Sequence, residues 1–281
     1  MNIDITKLHD FENHPYKVLD NEEMEQLTES IMQYGVIAPI VVRPKENTAD
    51  EYEIISGHRR VMACRKAGIE EIPALVVSLD RDAAAIALVD SNLHREHVLP
   101  SEKAFAYKMK LDAMKRQGFR TDLTSDQVGR KLETAEIIGE QSGESKNQIR
   151  RYIRLTYLNK QLLDMVDEGR IAFTPAVELS YLNEIEQQDL VDAIGECDAT
   201  PNLSQACRFK KMSTEGQGLT PESITEILNE KKANQKPMFK IHFEKLQAVA
   251  PQIKESDFEA FVIEACKRYY KYLERQKERD R

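Results

Sequence analysis

The 281-residue sequence has no apolar run long enough to cross a bilayer. It has no secretory signal at its N-terminus either, so the expected location is the cytoplasm. Cysteine is scarce: Cys64, Cys197, Cys207 and Cys266 are scattered without the spacing of a disulfide framework or a zinc site, and are expected to be reduced. Positive charge is in deficit. The 40 Lys and Arg face 48 Asp and Glu, and a net charge of −8 argues against a protein that coats DNA with its whole surface. A local basic face remains open, so charge must be followed segment by segment. What is present is a globular, helix-rich composition, 41% hydrophobic and 31% charged, at a length that suits about two domains.

The most informative stretch is 54–68. A short apolar strand ends at Ser56-Gly57, and a helix follows with Ala63 and Ala67 on its inner face and Gly68 as its stop. The turn delivers Gly57, free backbone N–H groups, Arg59 and Arg60 to a helix N-terminus. Those N–H groups and the helix dipole attract an anion, and the two arginines are mildly unfavourable there unless an anion sits between them. Upstream, Asp20-Asn21-Glu22-Glu23 opens a helix with Met24, Leu27, Ile31 and Tyr34 at helical spacing, closed by Gly35. Residues 36–43, 52–56 and 72–79 read as strands, and Asp80 caps a helix from 81 to about 91. This is a small α+β unit. Its last helix runs into Asp90-Ser91-Asn92-Leu93-His94-Arg95-Glu96-His97, where Asn92 and Arg95 share a face if the helix continues through them. Asparagine can orient a phosphate or a metal-bound water, and arginine grips phosphate oxygens in pairs. His94 and His97 lack a third ligand nearby and read as exposed histidines.

In order and spacing, the helix, Gly35-Val36-Ile37-Ala38-Pro39-Ile40, Gly57-His58-Arg59-Arg60 and Asn92-Leu93-His94-Arg95-Glu96 resemble the N-terminal domain of the ParB family of DNA-partition proteins. That resemblance implies a domain that binds CTP with Mg²⁺ and closes a dimer into a clamp around DNA. It assigns Gly57, His58, Arg59, Arg60, Ser91, Asn92 and Arg95 to the nucleotide and Asn92 to the metal. Three positions depart from the family pattern. His58 stands where an acid is usual, Ala38 where a glutamine is usual, and Ser91 where an acid is usual, the nearest acid being Asp90 one place earlier.

Residues 99 to about 215 read as an all-α bundle. Pro100-Ser101 opens a long helix striped with Ala104, Tyr107, Leu111 and Met114 and ended by Gly118. A polar loop at 120–124, a helix restart near Ser125 and a short helix at 134–141 follow. Ser142-Gly143-Glu144 is a tight turn, and Ser145-Lys146-Asn147-Gln148 caps the next helix. On that helix Ile149, Tyr152, Ile153 and Thr156 face inward, and Asn147, Arg150, Arg151 and Arg154 face outward. Between 145 and 160 there are five basic residues and no acid. Helix, glycine turn and basic second helix make a helix-turn-helix. Ser145, Lys146, Asn147 and Gln148 are expected near base edges, and Arg150, Arg151 and Arg154 on phosphates. Residues 144–155 are similar to the DNA-reading helix of ParB proteins. Thr174-Pro175 reads as an N-cap with a first-turn proline.

Residues 219–281 read as a small helical segment. Thr220-Pro221 starts a helix, and Phe258, Val262, Ala265, Tyr269 and Tyr272 form a heptad-like seam over two repeats, a candidate dimerisation helix. The expected domains are thus 1–98, 99–215 and 219–281, mainly α overall. The resemblance implies a partition protein on a plasmid or other mobile element, with double-stranded DNA carrying a centromere-like site, a second copy of the chain and a ParA-type ATPase as partners, and no membrane. Slow CTP hydrolysis is an open expectation. The alternatives are a nucleotide-independent helix-turn-helix regulator and a nucleotide-dependent kinase-like enzyme.

Overall fold

The computed structural model describes residues 1–93, 95, 98–118, 134–215, 218–230 and 258–279. The turn at Gly57 belongs to a mixed five-stranded sheet of β1 (Asn2–Asp4), β2 (Leu8–Asp10), β3 (Ile40–Pro44), β4 (Tyr52–Ser56) and β5 (Glu71–Val76). The strand order is β1-β5-β3-β4-β2. β3 pairs antiparallel with β4 and parallel with β5, β1 lies antiparallel to β5, and β2 lies parallel to β4. Side chains alternate across a strand, so each face has its own core. Ile40, Val42 and Ile54 pack with Met24 and Ile31 of α1 (Glu22–Tyr34) and with Val61 and Cys64 of α2 (His58–Lys66). Ile55 on the other face packs with Ala84, Ala85 and Leu88 of α3 (Arg81–Asp90).

Local chemistry sets most boundaries. Asn21 accepts a hydrogen bond from the Met24 amide at 3.2 Å and starts α1. Asp80 caps α3 in the same way through Ala83 at 2.7 Å. The strand expected at 36–43 begins only at Ile40. Pro39 has no N–H for the ladder, and the carbonyls of Ala38 and Pro39 accept from the Arg60 guanidinium instead. The strand expected at 72–79 runs over Glu71–Val76. β1 and β2 were not foreseen, because three residues are too few for alternation to show.

The helical part is built on α4 (Pro100–Arg116), whose sides enter three cores. Ala106 and Ala113 join the α3 side, and Tyr107 and Met114 meet Ile138 of α5 (Thr134–Ser142) and Ile149 of α6 (Lys146–Arg154). Ala104 joins a core shared with α7 (Lys160–Asp167), α8 (Phe173–Leu179), α9 (Glu184–Cys197), α10 (Leu203–Thr214) and α11 (Pro221–Asn229). A helix buried on several sides ties its neighbours together, and Met1–Glu230 form one compact unit. The N-cap expected at Thr174 lies at Ala172, so Thr174 and Pro175 are inside the first turn of α8. The loop and helix restart expected at 120–133 lie outside the described residues. The second unit, Lys231–Arg281, contains α12 (Phe258–Arg279), on which Phe261, Ile263, Tyr269, Tyr270 and Tyr272 are exposed.

Candidate functional site

The β4–α2 turn works because its first residue is glycine. Gly57 sits at φ 107°, in the left-handed region, and a Cβ there would lie 2.6 Å from Ile40 Cγ2. No side chain caps α2, so its first N–H groups stay available to an anion. Around this terminus lies a cleft of about 540 Å³ lined by Gly57, Arg59, Arg60, Ser91, Asn92 and Arg95, with Ser56 and, from α1, Glu23, Gln26 and Leu27. Six of the seven residues expected at a nucleotide therefore share one cleft, although α3 ends at Asp90 and Asn92 and Arg95 do not share a helical face. The fold brings them together through the turn that follows α3.

The arginines and Asn92 of the cleft each have a protein partner. Arg59 pairs with Glu23 at 3.1 Å. Arg60 donates to the Ala38 carbonyl and, at 2.7 Å, to that of Pro39. Burial pulls the Arg60 guanidinium below its usual pKa, which is the sense expected for a cation without a facing anion. Asn92 is buried and donates from Nδ2 to the Leu88 carbonyl at 2.8 Å and to Ser91 Oγ at 3.1 Å. Those two bonds fix the amide and leave its Oδ1 oxygen as the group that can meet a ligand. The Arg95 guanidinium lies over the Tyr16 ring at 5.5 Å. Glu23, Gln26 and Leu27 escaped the sequence reading; they lie within one turn of α1, but nothing in an amphipathic helix distinguishes them. The acid that precedes the Ser91-Asn92 pair, Asp90, pairs with Lys110, and among the described residues the acid lining the cleft is Glu23 of α1. Among the described residues no group of three or more His, Cys, Asp or Glu side chains is arranged to hold a metal. A neutral oxygen such as Asn92 Oδ1 does suit Mg²⁺, which is bound through few protein atoms together with phosphate oxygens. His94, Glu96 and His97 lie outside the described residues.

His58 is the seventh expected residue and does not line the cleft. Its side chain is 8% exposed, its ring packs tilted against His14 with centroids 3.9 Å apart, and its buried Nε2 makes no hydrogen bond, Asp10 Oδ1 lying 4.0 Å away. His14 in turn binds the Tyr16 carbonyl through Nδ1 at 2.8 Å. Burial, reinforced by the nearby His14 and Arg95 charges, pushes the His58 pKa from 6.5 down to about 3, and burial also lowers that of His14. The unfolded chain therefore binds protons that the folded one refuses. The His58 contribution to stability is complete above pH 6.5 and is lost as pH falls from there toward about 3. Urea unfolding between pH 6.5 and 5 should show stability falling by up to about 1.4 kcal/mol per pH unit from His58, with His14 adding in the same sense. The His58→Gln variant should show a shallower slope; an unchanged slope would rule His58 out as its source.

The second expected site is the α5–turn–α6 unit. Gly139 lets the turn close: a Cβ there would lie 2.5 Å from the Glu144 carbonyl, and the Glu144 amide donates to Gly139 O at 3.0 Å. Ser145 caps α6 through the Gln148 amide at 3.1 Å. Ile149 is fully buried, and Ser145, Asn147 and Arg150 are exposed. Lys146 and Gln148 are half-buried. Arg151 and Arg154, expected on the open outer face, instead lean on α8 and the turn that follows it. Arg151 donates to Gln148 and, at 2.8 Å, to Thr174 Oγ1, and lies over Phe173. Arg154 donates to Ser180 Oγ and to Ser180 O at 2.7 Å, with its guanidinium 4.0 Å from the Tyr181 ring centroid. Helical spacing gave their direction from α6 but could not foresee that Phe173 and Tyr181 line that side.

Residues 1–93 match the family model of the ParB N-terminal domain. A nucleoid occlusion protein of Listeria innocua is 34% identical over 180 residues, covering 62% of this chain and 58% of its own. The chromosome-partitioning protein Spo0J of Thermus thermophilus is 32% identical over 158 residues, 56% of this chain and 51% of its own. The chain thus spans little more than half the length of these curated relatives. The C-terminally truncated chromosome-partitioning protein ParB from Caulobacter crescentus, complexed with CTP-gamma-S, aligns at 26% identity over 69% of this chain and 97% of its own, with a TM-score of 0.32 that marks a loose overlay.

Proposed function

Because residues 1–93 belong to the ParB N-terminal domain family and the chain is ParB-like, we infer that it is a CTP-responsive, site-specific DNA-binding protein that serves DNA segregation. One observation carries this reading. Gly57, Arg59, Arg60, Ser91, Asn92 and Arg95 line a single cleft at an uncapped helix N-terminus, where a polyphosphate meets both backbone N–H groups and three guanidinium groups. In this reading Arg59, Arg60 and Arg95 hold the phosphates of CTP. Asn92 Oδ1 contributes to holding Mg²⁺, which neutralises phosphate charge when bound. Binding to Arg59 means displacing Glu23, so the phosphate takes over an existing ion pair. His58, its ring packed against His14, supports the turn rather than touching the nucleotide. With no acid of the 90–92 turn directed at the cleft, the nucleotide acts here as a ligand before it acts as a substrate.

The α6 helix reads DNA in this proposal. Ser145, Lys146, Asn147 and Gln148 at its N-terminus approach base edges, and the exposed Arg150 meets a phosphate. Arg151 and Arg154 hold α6 against α8 and the turn beyond it, and present to DNA only the edges left by those contacts. The exposed apolar residues of α12 suit self-association into a homodimer, and a ParA-type ATPase partner follows from the family alone. The protein would work in the cytoplasm, on the nucleoid or a plasmid.

The test is sequencing of genomic and plasmid fragments captured by the purified chain with and without CTP and Mg²⁺. A discrete site whose occupancy spreads to neighbouring DNA only with CTP is the expected result; discrete sites indifferent to CTP would make the chain a simple regulator. On the recovered site, Arg150→Ala should weaken binding evenly across sequences and lower the salt slope by about one unit. A loss selective for one base pair would make Arg150 a base reader.

A further inference from the structure

Lys110 of α4 is 1% exposed, and its ammonium has two partners on different elements. One is the carboxylate of Asp90, the last residue of α3. The other is Gln141 Oε1 of α5, at 2.5 Å. Asp90 directly precedes Ser91 and Asn92, which line the proposed nucleotide cleft. Gln141 is the second-last residue of α5, just before the turn that sets Ser145 and α6. A second lysine of α4, Lys103, reaches that same turn through Glu144 at 3.3 Å. A buried ammonium is costly to leave unpaired, so it keeps its partners together or moves with them.

Taking the CTP and DNA sites of the preceding section as given, we propose that Lys110 is a positioning residue that couples them: its ammonium makes the turn at 90–92 and the α5–α6 unit move together. A phosphate or metal drawn to Asn92 pulls on the turn that carries Asp90. Because Lys110 has no water to fall back on, the pull passes to Gln141 and the mounting of α6. The same bridge works in reverse when DNA seats on α6, since coupling between two binding sites is reciprocal. The bridge touches neither ligand, so its loss alters the dependence of one affinity on the other more than either affinity alone.

The experiment titrates the full chain with CTP and Mg²⁺, with a short fluorescent duplex carrying the recovered site, and with each in the presence of saturating amounts of the other. The wild-type chain should show DNA affinity changed by CTP about five-fold or more, and CTP affinity changed by DNA to the same factor. Lys110→Met and Gln141→Leu should each bring that factor below about two while leaving each ligand's separate affinity within about three-fold. Gln141→Leu leaves the Lys110–Asp90 pair in place, with Lys110 buried and Asp90 at the surface, so it answers the question even if Lys110→Met does not fold. Coupling that persists at the wild-type factor in a folded variant overturns the bridge and leaves the two sites standing. A wild-type chain that binds both ligands independently also overturns the bridge alone. A wild-type chain that fails to bind CTP overturns the functional reading and the bridge with it.

Discussion

Gly57→Ala should destabilise the chain by roughly 2–6 kcal/mol and abolish nucleotide binding, because it adds two costs at one atom. The first is the backbone: a φ of 107° costs an L residue about 1–3 kcal/mol. The second is space. The new Cβ would lie 2.6 Å from Ile40 Cγ2, and Ile40 is fully buried under α1 and α2 and cannot move aside. Overpacking of that kind costs about 1–3 kcal/mol. Gly68→Ala is the matched control, since Gly68 also has positive φ, at 69°, but nothing within 4 Å of its Cβ position. It should cost only about 1–2 kcal/mol, the strain term alone. Urea unfolding of both variants separates the two terms. A Gly57 variant no worse than the Gly68 variant would mean that the β4–α2 turn relaxes freely and is not a rigid cradle.

Arg60→Ala should weaken CTP binding in the presence of Mg²⁺ about 30-fold or more, some 2 kcal/mol, while DNA affinity without nucleotide stays within about three-fold. The magnitude follows from two roles in one side chain. Arg60 lines the cleft, and it also fixes the carbonyls of Ala38 and Pro39, which form the approach to β3. Removing it loses a phosphate contact and frees the 36–39 loop beside the cleft. The Arg60→Lys variant keeps the charge but lacks the planar fork that spans two carbonyls, so it should recover only part of the affinity. Calorimetric titration with CTP and fluorescence titration with DNA give the two numbers. Equal loss of both ligands would refute the division of labour between the N-terminal sheet and α6.

Much of this protein was legible in its sequence because the deciding interactions are local. Asn21, Asp80, Ser145 and Thr220 each begin a helix through a hydrogen bond to an amide three residues on, and such bonds depend on nothing distant. Gly57 with Arg59 and Arg60 marked the candidate anion-binding turn for the same reason: strand, glycine and uncapped helix are consecutive. The Ser145–Arg154 helix showed its basic character in ten residues. The tertiary structure alone decided what meets across the chain. Asn92 and Arg95 reach the Gly57 turn through a bend after α3, not along a helix. His58 turns away from the cleft, to where His14, 44 positions earlier in sequence, offers a ring to pack against. Arg151 and Arg154 leave the open face of α6 because Phe173, Thr174 and Ser180 offer rings and oxygens that water would otherwise replace. Lys110, one more lysine on an amphipathic helix to the sequence reader, becomes a buried ammonium between two sites only when α3 and α5 close over it. Charges and rings exchange partners over distances in sequence that local periodicity does not encode, and those exchanges separate the residues that face a ligand from the residues that hold them.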